Sequence, residues 1–292
     1  MYNAIAVNKR NTILIMAVFV GIIGAIGYGI SWYYGNTNTT WVILAVAAVY
    51  ALIQYFIASR LAIGLTGAQE IQKSDNPRLW RIVENLAITT GMPMPKVYII
   101  NDPAPNAFAT GRSPKKAMVG ATTGLLEIMD DREVEAVMAH EMGHVGNYDI
   151  RVSTIAFGLV SAIGILADVA LRMLFFGGGD RNNNANVITL IIGVVVIALA
   201  PIIASIVQMS ISRQREYLAD ATGALTTRDS EGLASALEKL RDYGRPMQKQ
   251  HSATANLFFS NPLKKGFFSK LFSSHPPLED RIARLRKNAE KF

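Results

Sequence analysis

The chain has 292 residues, room for one catalytic region plus several membrane spans and too few for two large soluble domains. Half of the residues are hydrophobic and 17% are charged, against about 25% in a typical soluble domain, and with no cysteine any metal must be held by His and carboxylates. The net charge of +7 comes from basic residues flanking apolar runs, which argues against a nucleic-acid partner and favours a negatively charged membrane surface.

Thr12 to Trp32 is an uncharged run of about 21 residues, long enough to cross a hydrocarbon core. Its apolar part is too long for a signal-peptide core and lacks a small-x-small cleavage site, so an uncleaved anchor is expected. Trp41 to Ser59 is a second such run, with aromatic residues near its ends. The two read as a helical hairpin. Residues 66–95 have helical composition, with apolar spacing at Ile71, Leu79, Ile82, Val83 and Leu86. Lys96–Ile100 and Ala117–Gly120 have strand composition. Between them, Asn106, Ala107, Phe108 and Ala109 are candidates for substrate binding: an exposed edge there could pair with an extended peptide backbone. The plain alternative is a loop before a hairpin.

His140, Glu141 and His144 form a His-Glu-x-x-His motif, and Asp130 with Glu133 marks the start of its helix. Four residues apart on a helix, the two imidazoles point the same way and can share one zinc ion. Glu141, about 100° further round the axis, lies beside the metal as a general base. Val152 to Phe176 is apolar apart from Asp168 and Arg172, and Val187 to Ile211 is uncharged; both read as further spans, with buried soluble helices as the bland alternative. Beyond them Glu216 and Asp220 share one helical face. Glu216 is the candidate third ligand, and Asp220 could hold the second nitrogen of a ligand His; an exposed helix with paired charges is the bland reading. His144 and Glu216 are 72 residues apart, and two intervening spans bring them to the same side of a bilayer. Lys9, Arg10, Arg60, Arg151, Arg213 and Arg215 all flank that side, which the positive-inside rule makes cytoplasmic. Residues 228–245 read as a helix packed around the centre, 260–275 as a possible cover, and Leu278–Lys287 as a terminal helix. His275, on spacing alone, reads as a surface residue, and His251 has no evident partner.

With these motifs the sequence resembles the HtpX family of membrane zinc peptidases, relatives of the CAAX prenyl peptidases. The resemblance rests on the amino-terminal hairpin, Asn106-Ala107-Phe108-Ala109-Thr110-Gly111, Ala139-His140-Glu141-Met142-Gly143-His144 continuing through Asn147 and Asp149, the stretch from Ser212 to Asp220, and Ser274-His275-Pro276-Pro277 with Arg281. It implies Glu216 as third zinc ligand, a thermolysin-like edge strand at Asn106–Gly111, and an imidazole at His275 placed to stabilise an oxyanion. The expected fold is mainly α: multi-pass membrane helices with a small α+β, zincin-like (gluzincin-type) catalytic domain. It divides into 1–62 (hairpin), 63–151 (motif helix and edge strand), 152–211 (second pair of spans) and 212–292 (third ligand and terminal helix). The implied function is an endopeptidase with one Zn2+ per chain, in a bacterial inner membrane with its catalytic domain cytoplasmic, cutting unfolded or damaged membrane proteins. A zinc-binding membrane protein without peptidase activity is the competing class, against which Glu141 argues. An intramembrane-cleaving protease is the other; it is disfavoured by the charges at Asp130, Asp131, Arg132, Glu133 and Glu135. The sequence does not decide the oligomeric state.

Overall fold

The structure, a computed structural model, describes residues 2–33, 35–161, 213–249, 252–262 and 276–289. His251, His275, the run 187–211, most of 152–176, and 263–275 of the expected cover lie outside the described residues.

Helices α1 (Tyr2–Tyr33) and α2 (Asn38–Thr66) form the hairpin. Both are longer than the uncharged runs, so α1 carries Lys9 and Arg10, and α2 carries Arg60. Their apolar stretches, Ile5–Gly29 and Asn38–Thr66, have mean hydropathies of 2.2 and 2.1. Inward-facing Ile15, Phe19 and Ala51 pack against Val152, Ile155 and Leu159. Outward, α2 exposes Val42, Val46, Val49, Leu52 and Phe56, an apolar surface that water solvates only at a cost.

Gly67 ends α2 in the left-handed conformation at φ 73°. The chain then makes β1 (Gln69–Glu70) and starts α3 (Pro77–Thr90) behind an Asn76 cap with Pro77 in the first turn. The helix expected over 66–95 is therefore only its second half. The glycine stop and the Asn-Pro start leave room between them for a strand. Strands β2 (Lys96–Ile100), β3 (Ala107–Thr110) and β4 (Met118–Thr122) complete a sheet ordered β1-β2-β4-β3, with β2 and β4 parallel and the outer pairs antiparallel.

The sheet separates two layers. Val97, Val119, Ala121, Ala107 and Ala109 face the helices, while the alternate residues Tyr98, Ile100, Phe108 and Met118 meet Ile63 and Ala68 at the foot of α2. On the helical side lie α4 (Thr123–Ile128) and α5 (Asp131–Gly146). Asp130 and Glu133 make the expected capping box at the start of α5, and Glu133 is further held by Ser235 and Lys239 at 2.6 Å each. Val134, Val137, Met138, Met142 and Val145 are fully buried. At about 1.5–3 kcal/mol each, that packing fixes the orientation of the helix. A helix over 149–161 (α6) leads back towards the hairpin. Then α7 (Arg213–Thr227) and α8 (Ser230–Tyr243) pack on α5, and α9 (Leu278–Lys287) packs on α8 and α7.

Candidate active site

Helix α5 presents His140, Glu141 and His144, and α7 presents Glu216 and Asp220 opposite them. Close approach of the two helices depends on Gly223: a Cβ there would stand 3.0 Å from the His140 backbone nitrogen and 3.3 Å from its Cα. Backbone within a packed helix cannot yield as a side chain can. Gly223→Ala is therefore expected to push α7 off α5 and weaken metal binding by tenfold or more, read by competition with a chromogenic chelator.

The Nε2 atoms of His140 and His144 are 3.1 Å apart, and the Glu216 carboxylate oxygens lie 3.8 Å and 3.6 Å from them. Three ligand atoms of a tetrahedral zinc site would be separated by roughly 3.3 Å; the imidazole pair already meets that spacing, and the Glu216 oxygens lie within about half an ångström of it. The tautomers fit as well. His140 Nδ1 donates to Asp220 at 2.9 Å, and His144 Nδ1 donates to Asp149 at 3.0 Å. Each carboxylate leaves the opposite ring nitrogen bearing its lone pair towards the common centre.

Arg281 of α9, fully buried, donates to both Asp220 oxygens at 2.9 and 2.6 Å. Its guanidinium lies 3.9 Å from Glu216 and 4.8 Å from the ring centre of Phe259. It also lies 3.4 Å from His140 Nδ1, but that nitrogen is already committed as a donor to Asp220. Arg215 stands 3.6 Å from Asp149. Among the described residues, four buried carboxylates (Glu141, Asp149, Glu216, Asp220) thus face two guanidiniums (Arg215, Arg281). Two imidazole nitrogens and a carboxylate converge there, a donor set that suits a divalent cation.

The two imidazoles differ sharply. Burial pushes the pKa of His140 down to about 4. Burial opposes the proton on His144 as well, but the Asp149 hydrogen bond and the charges of Glu216, Asp149 and Glu141 outweigh it and raise this pKa to about 9. For Asp220, burial is outweighed by Arg281 and His140, holding it down at about 2. In protein stripped of metal, His144 carries the shared proton. Its stabilising contribution is full below pH 6.5 and is lost as pH rises through about 9. Metal must displace that proton, so affinity should climb about tenfold per pH unit up to about pH 9 and then level. Calorimetry in buffers of different ionisation enthalpy would read the released proton.

Asp149 and Arg281 were named only as carriers of the resemblance and Arg215 only as a flanking charge; the sequence reading gave none of them, nor Phe259, a place in this site. Asp149 reaches His144 because Tyr148 takes a left-handed conformation, φ 63°, and turns the chain back. The cations of Lys9 and Arg151 lie over the Tyr148 ring at 5.0 and 4.9 Å.

The edge strand is placed as expected but is not exposed. β3 pairs with β4 on one side, and on the other Phe108 bridges antiparallel to Phe258. The Phe259 N–H donates to Ala107 O at 2.8 Å. Asn106 secures the same segment, accepting from the Ser260 N–H at 3.0 Å and donating to the Ser260 carbonyl at 2.8 Å. Residues 257–260 thus lie along the edge that was expected to be open, and Phe259 packs edge-on against His140, 4.8 Å between ring centres. The remaining cleft, walled by Glu141, Glu216, Ala109 and Phe258, holds about 30 Å³: enough for a water molecule, not for a peptide.

Such an arrangement defines a metallopeptidase, and the apolar hairpin makes it a membrane protein. Comparison with known proteins agrees. The family model for peptidase family M48 matches residues 73–289. The chain is 56% identical, over the full length of both, to a protease HtpX homolog of Tropheryma whipplei (strain Twist). It is 45% identical to one of Lactobacillus acidophilus, over 98% of this chain and 99% of that one. The chain belongs to peptidase family M48, among its HtpX homologs. A crystal structure of Ste24p from S. mikatae shares the fold, with a TM-score of 0.52 and 19% identity over 98% of this chain and 67% of its own.

Proposed function

We propose that the chain is a multi-pass, zincin-like endopeptidase that holds one zinc ion through His140, His144 and Glu216. It cuts unfolded or damaged membrane proteins on the cytoplasmic side of a bacterial inner membrane. The observation that carries this reading is the convergence of three ligand atoms, all within 4.8 Å of one another, with Glu141 buried beside them. Two imidazoles and a carboxylate form a donor set suited to zinc. When bound, zinc supplies a Lewis acid that polarises a carbonyl and acidifies water.

The protein's own groups do the rest. Asp220 and Asp149 hold the imidazoles in register, and Arg281 holds Asp220. Glu141 accepts the proton of the attacking water and returns it to the departing amine. Substrate enters extended, exchanging its backbone hydrogen bonds for those that residues 257–260 make with Ala107 and Asn106. Backbone pairing requires no particular side chains, which suits a peptidase acting on unfolded chains. The cationic flanks of the hairpin support cytoplasmic placement.

Treatment with a chelator should abolish cleavage of an unfolded protein, and about one equivalent of zinc should restore it; restoration only by a different metal would overturn the zinc assignment. Because the chain lacks cysteine, single cysteines report sidedness without background. In intact cells an impermeant maleimide should label Asn36→Cys and leave Gln72→Cys unlabelled until lysis. The opposite pattern would place the catalytic side outside.

A further inference from the structure

On the face of the sheet turned away from the metal cluster, a cavity of about 300 Å³ opens beside the foot of α2. Five cations line it: Arg60 from α2, Lys96 from β2, and Arg112, Lys115 and Lys116 from the turn between β3 and β4. No carboxylate lines it. Lys96 is balanced by Glu70 at 2.8 Å. Among the described residues no acidic group forms an ion pair with Arg60, Arg112, Lys115 or Lys116. The walls between the cations are apolar: Phe56, Met94 and Met118. The Arg112 guanidinium is laid over the Phe56 ring, 4.7 Å from its centre, and its carbonyl is held by Arg151 Nε at 2.7 Å. Arg112 is thus positioned against α2, not merely solvated.

The surface above the cavity continues the pattern. Val42, Val46, Val49, Ile53 and Phe56 are all exposed, and their spacing of four, three, four and three residues makes one straight stripe along α2. The next step of four is Arg60. The ten steps from Val46 to Phe56 rise about 15 Å, the depth of one leaflet of a hydrocarbon core of about 30 Å. Cations at the foot and aliphatic side chains above match an ionised headgroup with acyl chains attached.

We propose that this cavity binds an anionic phospholipid, its phosphate among Arg60, Arg112, Lys115 and Lys116 and its acyl chains along the outer stripe of α2. A free phosphate would use the cations but leave the stripe unused; a zwitterionic lipid would bring a second positive charge into a cationic site. The site is separate from the metal cluster, and bound lipid fixes the sheet against α2 through Met118 and Tyr98, which pack with Ile63.

The test uses the full-length protein in neutral detergent, freed of lipid and titrated with short-chain phosphatidylglycerol, phosphatidylcholine and inorganic phosphate, with binding read by native mass spectrometry. Phosphatidylglycerol should bind at least about tenfold more tightly than phosphatidylcholine. The triple variant Arg60→Gln/Lys115→Gln/Lys116→Gln, all at exposed positions, should lose that preference while keeping the metal content and melting temperature of the unliganded wild type. Equal binding of the two lipids by wild type, or an unchanged preference in the variant, overturns the proposal. Displacement of phosphatidylglycerol by inorganic phosphate at equal concentration makes this a site for free anions and equally overturns it. The comparison of lipids on wild type stands even if the variant fails to fold. None of these outcomes alters the chelation result, so failure here and failure of the peptidase reading are distinguishable.

Discussion

Glu141→Gln is expected to slow peptide cleavage by about 10²–10⁴-fold with no loss of bound metal per chain. The amide has the shape of the carboxylate but cannot accept a proton. Glu141 is not among the three groups whose ligand atoms converge, and its neighbours on α5 keep the helix in place through the buried row from Val134 to Val145. A second readout separates a lost base from a distorted site. The Glu141 charge helps to raise the His144 pKa, so in stripped protein the variant's His144 should titrate lower than in wild type, as read by NMR of the imidazole. A variant that cuts at the wild-type rate removes Glu141 from the chemistry. One that loses its metal makes Glu141 a ligand.

Arg281→Leu should be the most damaging substitution outside the metal cluster. The guanidinium is fully buried, makes both bonds to Asp220 and approaches Glu216. Leucine would take the shared cation away from two buried carboxylates that stand one helical turn apart on α7. Breaking a buried ion pair by removing one partner costs about 3–5 kcal/mol, a large share of the stability of an ordinary domain. The sign can be checked with a second change: Asp220→Asn in the Arg281→Leu background removes the orphaned charge and should recover part of the lost stability. It should not recover metal affinity, because Asp220 also orients His140. If the double variant is no more stable than Arg281→Leu alone, the loss is one of packing against Phe259 rather than of charge.

The convergence of His140, His144 and Glu216 was legible because its geometry is mostly local. Helical periodicity alone puts His140 and His144 on one face and Glu216 and Asp220 on another, and the capping box at Asp130 and Glu133 marks where the first of these helices begins. Arg281 was harder. It lies 61 residues beyond Asp220, on a helix that reads as charged and solvent-exposed. The resemblance includes Arg281 without giving it a role, and the physical signal is position: it shares a face with Ile282 and Leu285, the two buried apolar residues of α9, and a charge on that face needs a buried partner. Asp149 was named as part of the resemblance, but its bond to His144 was hidden by the Tyr148 turn, since a left-handed non-glycine residue leaves no compositional trace. The covering of β3 by residues 257–260 was not legible either. Leu257-Phe258-Phe259 is a short apolar run, and pairing between segments some 150 residues apart depends on tertiary packing that no local pattern encodes. The division of residues 66–95 failed for the opposite reason: the apolar spacing dominated, while the glycine stop and Asn-Pro start were the better signals.

Asn8 lies in the first membrane helix, yet its side chain donates to Asp149 Oδ1 at 2.6 Å and to the Asn147 carbonyl at 2.9 Å. Asp149 in turn receives the His144 Nδ1–H at 3.0 Å. Two hydrogen bonds therefore join α1 to an imidazole of the metal cluster, and Arg215 closes the ring by reaching Asn8 at 3.4 Å. The hairpin is thus more than a tether. A fragment beginning after it would leave Asp149 without the Asn8 donor and the Tyr148 turn without the cation of Lys9, so it is expected to hold His144 less firmly than the whole chain does. Any sliding or tilting of α1, such as a change in bilayer thickness would impose, is transmitted as a pull on the group that orients His144.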